Sequence, residues 1–384
     1  MSELTRRNAL AGAGGLFAGP LLTSARVAIA PTSNRSLNAI AVRNGMRFGA
    51  AIAWSARDAD RGSFANPAYA RLIEAECGLI VPENEMKWQW LRPTPTSFAF
   101  ERIDAIVAWA ERHGLAVRGH NLLWHQPKWF PRWLNIYDFG ATPRIEGGRL
   151  LTTHIRTVLG HFGARIGSYD VVNEAVRPAD GMLYDTVLSR ALGGAEQTLD
   201  LAFRTARDAA PDAELVYNDY MSWEPGNGAH RKGVLALLEG FRRRGTPVDA
   251  LGIQSHLVTQ SANTEADVAR LQAEWRHFLD AVTQMGYRLL VTELDVRDTG
   301  LPADIALRDR AVADYARGYL DVTLGYREVR DVLSWGLVDR YNWIEGFEPR
   351  KDGVKRRPSL YDEQFRAKPL RDAVAAALAA APAR

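Results

Sequence analysis

Two glutamates stand where a chain of this kind could do acid–base chemistry. Glu174 closes Asp-Val-Val-Asn-Glu (170–174), and Glu293 closes Leu-Leu-Val-Thr-Glu (289–293). Each directly follows an apolar, β-branched run, so each is expected at the C-terminal end of a strand. A single strand-end glutamate is most simply a salt bridge or a helix cap. Two facing each other across a cleft are what glycoside hydrolysis requires, one to protonate the leaving oxygen and one to attack carbon or activate water. Amides and imidazoles at other strand ends (Asn173, Gln254, His120, His125, His256) fit hydrogen-bonding roles around such a pair. A metal is not expected: His120 and His125 are five apart rather than in His-Glu-x-x-His, with no second carboxylate at ligand spacing. Serine catalysis lacks its Gly-x-Ser-x-Gly elbow. No organic cofactor is called for either. Glycines 12, 14 and 15 form no dinucleotide loop, since position 17 is Phe and no strand precedes them.

The tryptophans point to the substrate. Of eleven, Trp88, Trp90, Trp124, Trp129, Trp335 and Trp343 fall within a few residues of an expected strand end. Trp54, Trp133 and Trp223 also lie on or shortly after such ends. Flat apolar faces with polar rims suit pyranose rings, while Asn, Lys, Gln and His reach the hydroxyls. Trp109 and Trp275 fall on helical patterns and are expected to be packing.

The elements that must position these groups are short apolar runs, each turning polar or aromatic at its end. They are 47–53, 78–82, 116–120, 168–173, 214–218, 250–255, 288–292 and 331–336. Helical patterns lie between them at 103–113, 152–162, 195–210, 231–244, 265–285 and 305–324, with a last one at 370–380. Strand starts about 30–50 residues apart correspond to one βα unit plus loop each. Several runs are apolar at consecutive positions, as in strands covered on both faces. Eight such units predict a (β/α)8 TIM barrel, a single catalytic domain over 45–380. A doubly wound open sheet is the alternative, but nothing marks a strand-order reversal or a phosphate loop.

Composition agrees. The 384 residues are 47% hydrophobic and 24% charged, which are globular values. One cysteine, Cys77, excludes an internal disulfide framework. Two of the three net positive charges fall within the first 30 residues, from Arg6, Arg7 and Arg26 against Glu3. The remainder is nearly neutral, and the run Arg242-Arg243-Arg244 reads as a solvated helix end, so nucleic acid is not an expected partner. Arg6-Arg7 followed by a Gly/Ala-rich apolar run to Leu22 predicts a twin-arginine export signal over 1–30, implying transient contact with that export machinery and a periplasmic or secreted destination. That run is too short to span a bilayer and no other segment is long and apolar enough, so no membrane anchor is expected. A monomer is the expected state.

Taken together, the strand ends resemble the endo-β-1,4-xylanases of glycoside hydrolase family 10. The resemblance covers about 45–370 and rests on Pro-Glu-Asn-Glu-Met-Lys-Trp (82–88), Gly-His-Asn-Leu-Leu-Trp-His (119–125), Asp-Val-Val-Asn-Glu, Tyr-Asn-Asp-Tyr (217–220), Gly-Ile-Gln-Ser-His (252–256), Thr-Glu-Leu-Asp (292–295) and Trp-Gly-Leu-Val-Asp-Arg-Tyr-Asn-Trp (335–343). It implies that Glu174 is the acid/base and Glu293 the nucleophile. Asn173 would bond the 2-hydroxyl of the reacting sugar, while His256 and Asp295 orient and polarise Glu293. Glu83, Asn84, Lys87, His120, Trp124 and Gln254 would form glycone-side subsites, with Trp335 and Trp343 stacking or capping there. The implied reaction is hydrolysis of internal xylosidic bonds with retention, for which the carboxyls should stand about 5–5.5 Å apart. Another β-1,4-glycanase or xylo-oligosaccharide specificity on the same scaffold is the runner-up; a non-catalytic carbohydrate-binding barrel is remote with both carboxylates intact. Three departures stand out. Tyr169 replaces the commoner Trp, which reads as a packing change. The segment after His125 is shortened, which argues against Gln126 as a sugar ligand. The 132–149 stretch is long and polar, as if reshaping the rim.

Overall fold

The computed structural model describes residues 35–259 and 265–384, and Arg35–Arg384 form one compact unit. The export signal expected over 1–30 lies outside the described residues. Eight parallel strands close a barrel: β1 (Arg47–Ile52), β2 (Leu79–Pro82), β3 (Ala116–Trp124), β4 (Ser168–Asn173), β5 (Glu214–Asp219), β6 (Ala250–Ile253), β8 (Arg288–Arg297) and β9 (Val329–Ser334). A short β7 (His256–Val258) pairs only with the far end of β8, so β6 bonds β8 directly and β9 returns to β1. The (β/α)8 barrel expected from the sequence is the fold observed.

The core has two parts. A large apolar cluster lies between strands and helices, while small clusters of strand residues (Ala51, Leu79, Val81 and Leu333 with Trp335; Val216, Ala250 and Leu290) fill the barrel itself. Because strand side chains alternate faces, β3 sends Arg118 and His120 to one side together. Asp170 of β4 lies opposite His120 in register. Arg118 and Asp170 thus place buried charge inside the strands. It is tolerated because Arg118 donates to Asp170 Oδ1 at 2.6 Å, and a buried ion must be paired to be affordable.

Other differences are local. β3 and β8 run past their expected ends, to Trp124 and Arg297, because both bulge where their pairing shifts register. Helices Leu37–Arg43 and Pro67–Glu76 were not expected from the sequence pattern. The second is started by Asn66, whose side chain accepts from the Ala68 and Tyr69 N–H groups, followed by Pro67. The first closes the base of the barrel ahead of the expected boundary at 45; its Leu37 N–H donates to buried Glu76 at 2.7 Å. The 132–149 stretch is half helical: Pro143–Phe162 is one 20-residue helix. Gly147 and Gly148 blur its pattern, yet Gly147 sits at a close approach to the next helix, where a Cβ would lie a tight 3.1 Å from Ala191 Cβ. Tyr169 is indeed a packing feature, its ring filling the space left by the missing side chain of Gly119.

Candidate active site

Glu174 and Glu293 lie at the ends of β4 and within the extended β8, both nearly buried, at 9% and 5% exposure. Glu174 takes a left-handed backbone conformation (φ 52°), so the chain turns sharply as it leaves β4. Its N–H still bonds Asn218 O on the neighbouring strand at 2.8 Å. The two carboxyls share one hydrogen-bonded network. Gln254 Nε2 donates to Glu174 Oε1 at 2.9 Å and to Asn173 Oδ1 at 3.3 Å. Asn218 Nδ2 donates to the same Asn173 oxygen at 2.9 Å and to Glu293 Oε1 at 2.8 Å. Asn173 keeps its own N–H2 group without a partner among the described residues, a donor available to a sugar hydroxyl.

Identical side chains meet opposite surroundings. Burial dominates at Glu174 and pushes its carboxyl up to about 7, with the negative charges of Asp219 and Glu293 adding to the rise. Three donors oppose it: Gln254, Trp124 Nε1 (2.9 Å) and Gln126 Nε2 (2.8 Å). At Glu293 burial pushes upward too, but it is overcome. His256 Nε2 lies 3.1 Å from Oε2, His120 Nδ1 lies 4.0 Å from Oε1, and the Lys87 charge is near, so the carboxyl is held down at about 2. His256 in turn sits between Glu293 and Asp295, whose Oδ1 is 2.9 Å from Nδ1. Burial disfavours its cation, yet the two carboxylates raise it to about 10. Trp343 Nε1 fixes the other Asp295 oxygen at 2.8 Å. The arrangement is a protonated carboxyl beside an ionised one, suited to giving a proton and an electron pair in one step.

The expected sugar-binding residues surround this pair. Lys87 is buried, its Nζ donating to Asn84 Oδ1 at 3.0 Å and lying 4.9 Å from the Trp124 ring and 5.8 Å from that of Trp335. Burial lowers the Lys87 ammonium and raises Glu83. His120 is braced by Asp170 at 2.9 Å and meets the Trp335 ring edge-on. Trp124, bonded to Glu174 through its Nε1, stacks on Trp129 with ring centres 4.5 Å apart. Other expectations fail. His125 is not brought to the carboxyls; it is fully buried against Tyr184 O at 3.2 Å and lowered by burial to about 4. Trp88 is buried and stacked on His154 at 4.1 Å, with Trp133 against its edge. Trp223 is buried between Tyr315 and Tyr319. These three indoles are packing: Trp88 and Trp133 sit on short helices just after the strands, Trp223 in the loop before helix Gly228–Arg244, and all three are covered by neighbouring rings or helices. Trp109 and Trp275 pack as expected.

Sequence reasoning missed four contributors. Gln126, discounted as a sugar ligand, is committed to Glu174. Asn218, Asp219 and Asp170 lie inside motifs already noted but carried no assigned role. Asp219 is fully buried, bonded by the Tyr217 hydroxyl, the Tyr220 N–H (2.8 Å) and His230 Nε2 (3.0 Å). The signal that could have found Asp170 is its register opposite His120; Asn218 and Asp219 are polar residues ending an apolar run, the same signature as Asn173–Glu174.

The glycosyl hydrolase family 10 profile matches residues 36–377. The chain belongs to glycosyl hydrolase family 10. Among its relatives, endo-1,4-beta-xylanase 5 of Pyricularia oryzae is 33% identical over 360 residues, covering 92% of this chain and 80% of that protein. Endo-1,4-beta-xylanase B of Thermotoga neapolitana is 28% identical over 316 residues, covering 82% and 83%. Among solved structures, native xylanase 10B from Thermotoga maritima superposes with a TM-score of 0.77 at 29% identity, covering 89% of this chain and 98% of that one. The family 10 profile begins at 36, one residue before the helix that closes the barrel base.

Proposed function

We propose that this family 10 glycosyl hydrolase cleaves internal β-1,4-xylosidic bonds of xylan with retention of configuration. The observation that carries the reading is the pair of buried carboxyls joined by one Gln254–Asn173–Asn218 network, Glu174 met by neutral donors and Glu293 by His256 at 3.1 Å, surroundings that push the first up and the second down. Glu293, ionised, attacks the anomeric carbon while Glu174 gives its proton to the departing oxygen. Asn173 bonds the 2-hydroxyl. Once Glu293 is esterified its charge is gone, so Glu174 becomes a stronger acid and its three hydrogen-bond donors favour the carboxylate. It then takes a proton from a water molecule whose oxygen attacks the anomeric carbon, and the ester bond to Glu293 breaks, releasing the sugar and restoring the Glu293 carboxylate. Membership of the family and xylanase relatives over most of the chain support xylan as the substrate. The Arg6-Arg7 pair supports export through the twin-arginine route to the periplasm or beyond, and the protein is proposed to act as a monomer. NMR of the first-formed reducing end tests the chemistry. The β anomer is expected; an initial α anomer would exclude retention.

A further inference from the structure

A cavity of about 970 Å³ opens beside the cleft, sharing Glu83, Asn84 and Trp343 with it. Neither Glu174 nor Glu293 lines it; the remaining wall comes from the loop after β1, the segment from Glu85 to the start of helix Glu101–Arg112, and residues 340–346 after β9. The frame is tied by buried Glu85. One of its oxygens accepts from the Trp54 N–H at 2.7 Å and the other from the Asn84 N–H at 3.1 Å, joining the loops that follow β1 and β2. Besides Trp343, two indoles line the space, Trp54 half-buried and Trp90 52% exposed. The Arg102 guanidinium lies 4.7 Å from the Trp54 ring centre and 5.9 Å from that of Trp90. A guanidinium stacked on aromatic faces is held in place while its in-plane N–H groups stay free.

Charge decides what such a site would take. Arg61 and Arg102 both line the cavity, and among the described residues neither side chain has a hydrogen-bond or ion-pair partner. The acidic lining is largely committed. Asp60 is held by Arg340 and by the Tyr341 hydroxyl, Glu85 by the two backbone donors, and Glu83 is pushed upward by burial, against the nearby charges of Lys87 and Arg61. Only Glu101 remains, exposed at the rim. Neutral sugar hydroxyls are served by amides and single donors. A pair of free guanidiniums beside an exposed indole is matched by a carboxylate on a sugar ring, which arginine can bind through two parallel N–H bonds.

We propose that this cavity is a subsite for a uronic acid side group on the substrate chain, with Arg102 and Arg61 taking the carboxylate and Trp90 the ring. The proposal rests on the reading of the cleft as a xylan-cleaving site. The test uses the full chain with three substrates: glucuronic acid-substituted xylan, the same polymer with its carboxyls reduced to alcohols, and unsubstituted xylohexaose. The acidic polymer is expected to show kcat/KM about tenfold above its reduced counterpart, the worth of one charge-assisted contact. The preference should shrink at about 0.5 M salt. In R102L the ratio should fall to about one, and in R61L it should fall part-way. A wild-type ratio of one, or a ratio unchanged in R102L, overturns the subsite while leaving xylohexaose cleavage intact. Failure to cleave any of the three substrates overturns the xylan reading instead.

Discussion

The end of β4 and the middle of β8 each bury one glutamate and treat it in opposite ways. Around Glu174 the neighbours are neutral donors and, further off, the anions Asp219 and Glu293, so burial wins and the proton stays. Around Glu293 the neighbours are cationic or able to become so, His256, His120 and Lys87, so burial loses. Desolvation is common to both sites and cannot distinguish them; the sign of the nearest charge does. An active pair therefore needs two unequal pockets more than it needs two glutamates.

That inequality can be broken most severely at Glu293. E293A removes the nucleophile and should lower xylan turnover by on the order of 10⁵-fold or more, measured by initial reducing-sugar release; near-normal rates would overturn the assignment. E174A removes the proton donor and should cost about 10²–10⁴-fold on xylan. Formation of the glycosyl-enzyme from an aryl xyloside with an acidic phenol should be far less affected, since that leaving group needs little protonation. Equal losses on both substrates would mean Glu174 does not act as the acid.

Subtler changes move the two pockets toward each other. Activity requires Glu293 ionised and Glu174 protonated, so kcat/KM should fall as pH drops toward about 2 and as it rises past about 7. H256N takes away the cation beside Glu293 and lets burial act, so the acidic limb should move to higher pH by about a unit or more. A stationary acidic limb would mean that His256 does not hold Glu293 ionised. D219N removes a negative charge that raises Glu174, so the alkaline limb should shift to lower pH, by less than about one unit. A shift in the other direction would show that Asp219 acts on Glu174 through packing rather than charge.

Much of this contrast was legible in the chain. Strand-end glutamates, the polar residues beside them and the recurrence of βα units follow from local patterns, because strand and helix periods leave their mark within a few residues. The indoles were legible only as a group. Trp88, Trp133 and Trp223 share their distance from a strand end with Trp90 and Trp343, yet the first three are turned into the packing, while Trp90, on the same short helix as Trp88, is 52% exposed. Helix Pro143–Phe162 was half hidden because Gly147, which lies close against a neighbouring helix, looks locally like a breaker.

Sequence alone determined the barrel, the two carboxyls at its mouth and the aromatic character of the cleft, since each depends on residue type and spacing along one stretch of chain. Tertiary structure decided which glutamate keeps its proton, that Gln126 serves Glu174, and that Arg102 stands between two tryptophans beside an open cavity. Those outcomes depend on which charges and rings come within a few ångströms after the chain closes on itself. Contacts such as Gln254 with Glu174, or His120 with Glu293, join residues 80 or more positions apart, and no local pattern records them.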